Sequence, residues 1–251
     1  MDDLLGFVSP SGCRLARPLI VKAETGSTND DARALAGADA PHGTVVLADA
    51  QTAGRGRMGR AWSSPAGENL YFSIIWRDGL DGIDPPQLAL VAGLAVSEAV
   101  DPFLPTPSTV KWPNDVRHGG RKLAGILAEA TYRGAHASAV VLGIGVNVRG
   151  RAVPEPLAHI ATTISLVRGA DVDRAAVLAA LLVHLDTTLR AFCSFGFGSV
   201  RERLIERCDS IGARVAIGDI TGVAIDIDGT GALVVRDDHG VAHDVRAGEI
   251  R

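Results

Sequence analysis

The stretch from Gln51 to Trp62 reads QTAGRGRMGRAW and sets Arg55, Arg57 and Arg60 among Gly54, Gly56 and Gly59, with Arg77 just beyond the strand that follows. Glycine lets the backbone take positive φ and lets a ligand come close to its N–H groups. Arginine carries a planar charged fork that matches carboxylate and phosphate oxygens. A loop built of both suits chemistry that joins a carboxylate to a nucleotide phosphate; a basic surface loop without a ligand is the alternative. The string Gly54 to Gly59 also fits G-x-G-x-x-G. A dinucleotide site needs a strand before that motif, a helix at its end and an acidic residue about 20 positions on. Thr44 to Ala48 supplies the strand, but Trp62, Ser63, Ser64, Pro65 and Gly67 follow, then a second strand from Asn69 to Trp76. The helix fails, and Asp78 falls in an Asp-Gly turn. No G-x-x-x-x-G-K-[ST] occurs, so the loop is not a P-loop.

A second cluster adds lysines. Lys111-Trp112-Pro113-Asn114-Asp115 follows a short strand from Thr109, which Pro113 ends. Lys122 stands at the mouth of a strand beginning Arg121-Lys122-Leu123-Ala124-Gly125. Ala139 to Val148, AVVLGIGVNV, is an apolar strand with Gly143 and Gly145 inside it. Glycine within a strand often marks close approach by a ligand or another backbone.

In this order, Gly26-Ser27-Thr28-Asn29, Gln51 through Trp62, Lys111 through Asp115, Lys122 through Leu127 and Gly143 through Asn147 resemble the biotin protein ligases. The resemblance implies an α+β fold. Residues 1–209 would form a mixed-sheet catalytic core of the class II tRNA synthetase/biotin ligase type, and 210–251 a small SH3-like β-barrel.

The elements that must position these residues are legible in outline. Ser27-Thr28-Asn29-Asp30 reads as a capping box opening a helix through about Ala36. Pro86 to Val100, Asp173 to Phe192 and Gly198 to Cys208 carry helical spacing. From Ile211 onward, Arg214 to Ile217, Gly222 to Ile227, Ala232 to Arg236 and Val241 to Arg246 read as short strands separated by Gly-Asp, Asp-Gly and His-Gly turns. The boundary falls near Ser210.

The chemistry implied by the resemblance has two steps. Biotin's carboxylate attacks the α-phosphate of ATP, giving biotinyl-5′-AMP and pyrophosphate. A lysine amine of a biotin carboxyl carrier domain, part of a carboxylase, then displaces AMP. Arg57, Arg60, Lys111 and Lys122 would cancel the repulsion between the anions. Lys122 would grip the carboxylate and α-phosphate. Lys111 would stabilise the pentavalent phosphorus or help deprotonate the incoming lysine. Ser27, Thr28, Gln51 and the backbone at Arg55 would hold the ureido ring, Asn29, Gly54 and Arg57 would also line the biotin site, and Gly125 and Gly143 would leave room for the bicycle and tail. Trp62 would stack on adenine, with Asn114 and Asn147 near the nucleotide. One Mg²⁺ would come with ATP, Asp115 being its candidate ligand. Plainer roles stay open: Ser27 as an N-cap, Gln51 as a solvated strand end, Trp62 as core, Asn114 and Asp115 as turn formers.

Composition narrows the remaining classes. The 251 residues are 47% hydrophobic, enough for a sizeable core, and carry a net charge of −4 with 4% aromatic residues. That argues against a nucleic-acid module, which would show a basic surface and stacking aromatics. The stretch before Ser27 holds Pro10, Gly12 and Pro18 and is too short for a three-helix DNA-binding unit, so no operator binding is expected. Cys13, Cys193 and Cys208 are odd in number and lack metal spacing, which fits a reducing cytoplasm. His239 and His243 sit in a hairpin and read as solvated strand residues, and no transmembrane run is expected. The resemblance also allows a weak homodimer through sheet extension. Lipoate or octanoyl transfer on a related core is the nearer rival. From Arg149 to Thr163 no aromatic residue stands ready to cover adenine; this segment and the arginine loop are expected to order when the adenylate forms.

Overall fold

The computed structural model describes residues 3–80, 84–134, 136–150 and 157–250. Its centre is a seven-stranded mixed sheet in the order β1-β2-β3-β7-β6-β5-β4. The strands are β1 Leu19–Thr25, β2 Val45–Gln51, β3 Leu70–Trp76, β4 Thr109–Lys111, β5 Asp115–His118, β6 Arg121–Arg133 and β7 His136–Val146. Only the β1–β2 pair is parallel; every other pair is antiparallel. The helices are α1 Thr28–Gly37, α2 Pro85–Val100, α3 Ile164–Arg168, α4 Arg174–Phe195 and α5 Gly198–Arg207.

Alternation along the strands decides which residues meet which layer. On β3, Phe72, Ile74 and Trp76 join Leu142 and Ile144 of β7 in the large core beneath α2 and α4. Tyr71, Ser73 and Ile75 face the other way; Ile75 packs with Ala32 and Ala36 of α1. α2 begins with Pro85 and Pro86, whose missing N–H groups cost nothing in a first helical turn. Asp173 caps α4, accepting the Ala175 N–H at 2.9 Å. α4 is long and apolar enough by composition to cross a bilayer, but half of that stretch is buried inside the fold and packs on α2, as a core helix does.

The C-terminal strands β8 Arg214–Ile217, β9 Ile220–Ile227, β10 Leu233–Asp237 and β11 Ala242–Val245 form a four-stranded antiparallel sheet, β11-β10-β9-β8. The expected barrel does not close: β8 and β11 are edge strands of four residues each, too short to wrap and pair. Trp112 joins this sheet to the core. It is buried, its N–H donates to Ser210 Oγ at 3.1 Å and its indole Nε1 donates to the Gly231 carbonyl at 3.1 Å.

Three elements escape the sequence reading. β1 is broken in pattern by Lys22 and Glu24, as an edge strand allows. β5 starts at Asp115, already opposite Lys111 in the ladder although Asn114-Asp115 reads as a turn. α3 is a single short turn. The capping box also fails: Ser27 holds the N-cap position, but its side chain makes no capping bond.

Candidate functional site

Sheet register builds the floor of the site. Lys111 lies opposite Asp115, Asp115 opposite Gly125, Gly125 opposite Gly145, and Gly145 opposite Tyr71. One row of a sheet face thus runs from a cation through a carboxylate to two adjacent glycines. The next row on the same face pairs Leu127, Gly143 and Ser73. Missing side chains leave a trough, and a cavity of about 540 Å³ opens above it.

The end of the cavity away from the cations is walled by the start of α1 and the end of β2. Gln51 Oε1 accepts from the Thr28 N–H at 2.9 Å and from Thr28 Oγ1 at 3.2 Å, while its Nε2 donates to Ser64 Oγ at 2.9 Å. Gln51 is therefore locked, not a solvated strand end. Ser73 Oγ lies 2.8 Å from Thr28 Oγ1 and 2.6 Å from Asn29 Oδ1. Asn29 Nδ2 donates to Glu129 Oε2 at 2.7 Å. Ser27, Thr28 and Asn29 are all buried.

The glycines behave differently from the sequence reading. Gly143 and Gly125 were expected to leave open room. Instead Asn29 occupies the space over Gly143, where a Cβ would meet its Oδ1 at 2.1 Å. The Trp62 indole lies over Gly125 and Gly145, where a Cβ on Gly145 would come within 2.5 Å of the ring. The Trp62 Nε1 is buried without a hydrogen-bond partner among the described residues, an uncommon state for a native donor.

The charged end collects the cations. Lys122 Nζ sits 2.7 Å from Asp115 Oδ1 and 5.1 Å from the centroid of the Trp62 ring. Its backbone is fixed on both sides by the segment after the loop: its N–H donates to the Ile160 carbonyl at 2.7 Å, and its carbonyl accepts from Thr162 at 2.9 Å. Arg57 donates to Asn114 Oδ1 at 3.2 Å and to the Gly248 carbonyl at 3.1 Å. Burial lowers the Arg57 guanidinium from its ordinary value, and the Asp115 carboxylate opposes that. Arg60 pairs with Glu249 at 2.5 Å, which holds the Glu249 carboxyl below the usual range. Lys111 Nζ donates to the Ile250 carbonyl at 3.2 Å.

Several assignments shift accordingly. Arg77 is not in the site: it stands past the far end of β3, donating to the carbonyls of Ala36, Ala40 and Ser138. Gly54 does not line the cavity; within the loop it is packed against Trp62, Ser64 and Gln51, its carbonyl accepting the Trp62 N–H at 2.8 Å. Asn114 lines the wall and orients Arg57, its own amide donating to the Ile126 carbonyl at 2.7 Å. Asn147 also lines the wall, but its amide is spent on the Thr162 carbonyl at 3.1 Å. Residues 151–156, within the segment lacking an aromatic cover, lie outside the described residues; beyond them Leu157, Ile160 and Ala161 supply aliphatic wall. The sequence reading missed Ser64, Ser73, Glu129 and the C-terminal Gly248 to Ile250, which reach the site only through folding.

Among the described residues no group of three His, Cys, Asp or Glu side chains converges as a metal cage. Asp115, against Lys122, and Glu249, against Arg60, are the carboxylates beside the cations. That donor set fits a Mg²⁺ delivered on phosphates, since Mg²⁺ is commonly held by one or two carboxylates plus substrate phosphate.

The biotin/lipoate A/B protein ligase family model matches residues 23–147, and the biotin protein ligase C terminal domain model matches residues 211–251. The chain is 38% identical over 247 residues to the biotin--[acetyl-CoA-carboxylase] ligase of Mycobacterium tuberculosis, covering 92% of this chain and 86% of that one. It is 34% identical over 233 residues to the bifunctional ligase/repressor BirA of Bacillus spizizenii, covering 90% and 72%. Among solved structures, the biotin protein ligase of Aquifex aeolicus in complex with biotin and ATP superposes with a TM-score of 0.82 at 33% identity, covering 93% of this chain and 97% of that one. The two family models, the relatives and the Aquifex aeolicus structure agree, and the chain belongs to the biotin protein ligase family.

Proposed function

We propose that this protein activates biotin with ATP and transfers it to a lysine of the biotin carboxyl carrier domain of a carboxylase. One observation carries the reading: Lys122, Lys111, Arg57 and Arg60 meet at one end of a cavity whose other end is a glycine-floored slot walled by Thr28, Asn29 and Gln51. Biotin is a molecule of that shape, a bicycle with a polar ureido edge and an apolar tail ending in a carboxylate. In the first step a carboxylate oxygen attacks the α-phosphorus, the bond to the bridging oxygen breaks and pyrophosphate leaves. In the second a neutral lysine amine attacks the acyl carbon, AMP leaves and the nitrogen loses its proton. Lys122 and Arg57 offset charge that builds at phosphorus in the first step. Mg²⁺ would be held through Asp115 and ATP, and it supplies further charge neutralisation. The Trp62 indole would turn from the glycine trough to stack on the base, exposing its orphaned Nε1. Gene repression, which the Bacillus relative's name gives to that protein, is not part of this reading.

Exchange of labelled pyrophosphate into ATP tests it. Exchange should depend on biotin and not on lipoate or octanoate. Exchange driven by lipoate alone would move the protein to the sister chemistry, and none with any acid would sink the reading. A second expectation concerns the slot. Gly143→Ala should push Asn29 off Ser73 and Glu129, and overpacking of this kind costs about 1–3 kcal/mol. Biotin affinity by titration calorimetry should fall about tenfold or more; unchanged affinity would mean that Asn29 does not shape the slot.

A further inference from the structure

We propose that Asp30 is a positioning residue, latching the glycine–arginine loop to the first turn of α1 and so keeping that loop closed over the biotin slot. The inference rests on the reading of the slot given above.

The geometry is that of a fork. Arg55 NH1 lies 2.5 Å from Asp30 Oδ2, and Arg55 NH2 lies 2.6 Å from Asp30 Oδ1. Such a two-point pair fixes direction as well as distance. Arg33, one turn along α1, donates to the same Oδ1 at 2.6 Å. Arg33 also pairs with Glu129 at 2.7 Å, and Glu129 accepts from Asn29. A continuous polar chain therefore runs from the loop, through α1, to the wall of the slot.

The rest of the loop is tied elsewhere. Its own backbone pairs Gly56 with Arg60 and Gly54 with Trp62. Arg57 and Arg60 reach Asn114 and the C-terminal residues. Arg55 ties the middle of the loop to α1, while Gln51 ties the loop's root to Thr28. The pair is partly solvated, with Asp30 48% and Arg55 33% exposed. Exposed pairs are modest in strength. A tie of that size can break and reform, as a loop that admits one ligand and retains another requires. Residues 27–29 wall the slot and residue 30 holds the latch, so a ligand that orders the first three steadies the fourth.

Trypsin cleavage after Arg57 and Arg60, followed by mass spectrometry, reads loop opening directly in the unliganded protein. Asp30→Ala and Arg55→Ala should each speed cleavage there roughly three- to tenfold. The double variant should be no faster than either single one. Asp30→Glu should restore much of the protection. In protein loaded with biotin and ATP, Asp30→Ala should release labelled biotinyl adenylate faster by a similar factor and raise KM for biotin, while kcat stays. Unchanged cleavage in Asp30→Ala, or effects that multiply in the double variant, would overturn the latch. Absence of adenylate in the unmutated protein would overturn the functional reading instead, and the cleavage comparison would still decide the latch.

Discussion

Lys122→Ala is expected to cut biotin-dependent pyrophosphate exchange by about 10²–10³-fold, the usual loss when a preorganised stabiliser of transition-state charge is removed. The size follows from how firmly the amine is placed. Lys122 is the second residue of β6, and its N–H and carbonyl are both bonded to the segment from Ile160 to Thr162. The ammonium is then held between the Asp115 carboxylate and the Trp62 ring. Its charge need not be gathered when the reaction begins. With no substrate present Asp115 balances it; when a carboxylate and a phosphate arrive, new negative charge competes for the same ammonium. Lys122→Arg should rescue poorly, because a planar fork does not replace a compact point charge above an indole. Asp115→Asn separates the roles: if Asp115 only steadies Lys122, exchange should fall about tenfold, well short of the lysine variant. Exchange within tenfold of the unmutated protein in Lys122→Ala would place the reacting charge elsewhere.

Much of this site was legible because its chemistry is local in sequence. The arginine loop, KWPND and the two glycine-bearing strands each announce themselves by residue type, and the sheet register only had to bring them together. What stayed hidden was long-range. Glu249 and Ile250 look like an ordinary chain end, yet they sit on Arg60 and Lys111 because the C-terminal sheet packs against Trp112. Arg77 misleads in the opposite way: it is near the loop in sequence, but a seven-residue strand carries it to the other end of the sheet. The glycines mislead more subtly. Composition shows that side chains are missing, but not that Trp62 and Asn29 fold into the gap. Asn147 likewise carries a fitting residue type, but its amide is committed to backbone. Helices α2 and α4 were readable because a long apolar period outweighs local noise, whereas β5 was masked by the turn residues that begin it.

The largest expected loss of stability lies below the site, at Arg174. This side chain is fully buried at the first residue of α4, where the helix dipole disfavours a cation. It is held by carboxylates and backbone: NH1 reaches Asp49 Oδ1 at 2.8 Å and the Asn69 carbonyl at 3.1 Å, while Nε and NH2 reach the two oxygens of Asp3 at 3.0 and 2.5 Å. Arg174→Met keeps the bulk but takes the buried guanidinium from Asp49 and Asp3, leaving Asp3 with Arg149 at 3.0 Å. Removing one partner of a buried pair costs about 3–5 kcal/mol, and the urea midpoint at pH 7 should fall accordingly. The same pair predicts an acid dependence. The Arg174 hydrogen bond holds the Asp3 carboxyl down to about 2, against an ordinary 3.8, with burial pulling the other way. A depressed carboxyl stabilises the fold fully above its unfolded value, so its contribution, on the order of 2 kcal/mol, should fade as pH falls from about 4 towards 2. Arg174→Met should lose most of that slope along with the stability. A variant as stable as the parent at pH 7, or equally acid-sensitive, would show that the network does not clamp α4. Where the network does clamp it, the damage should reach the site, because Asp49 lies two residues before Gln51 on β2, and Asn69 accepts the Val148 N–H just past the end of β7. Loosening these strand ends should weaken biotin binding in a variant whose cavity residues are all intact.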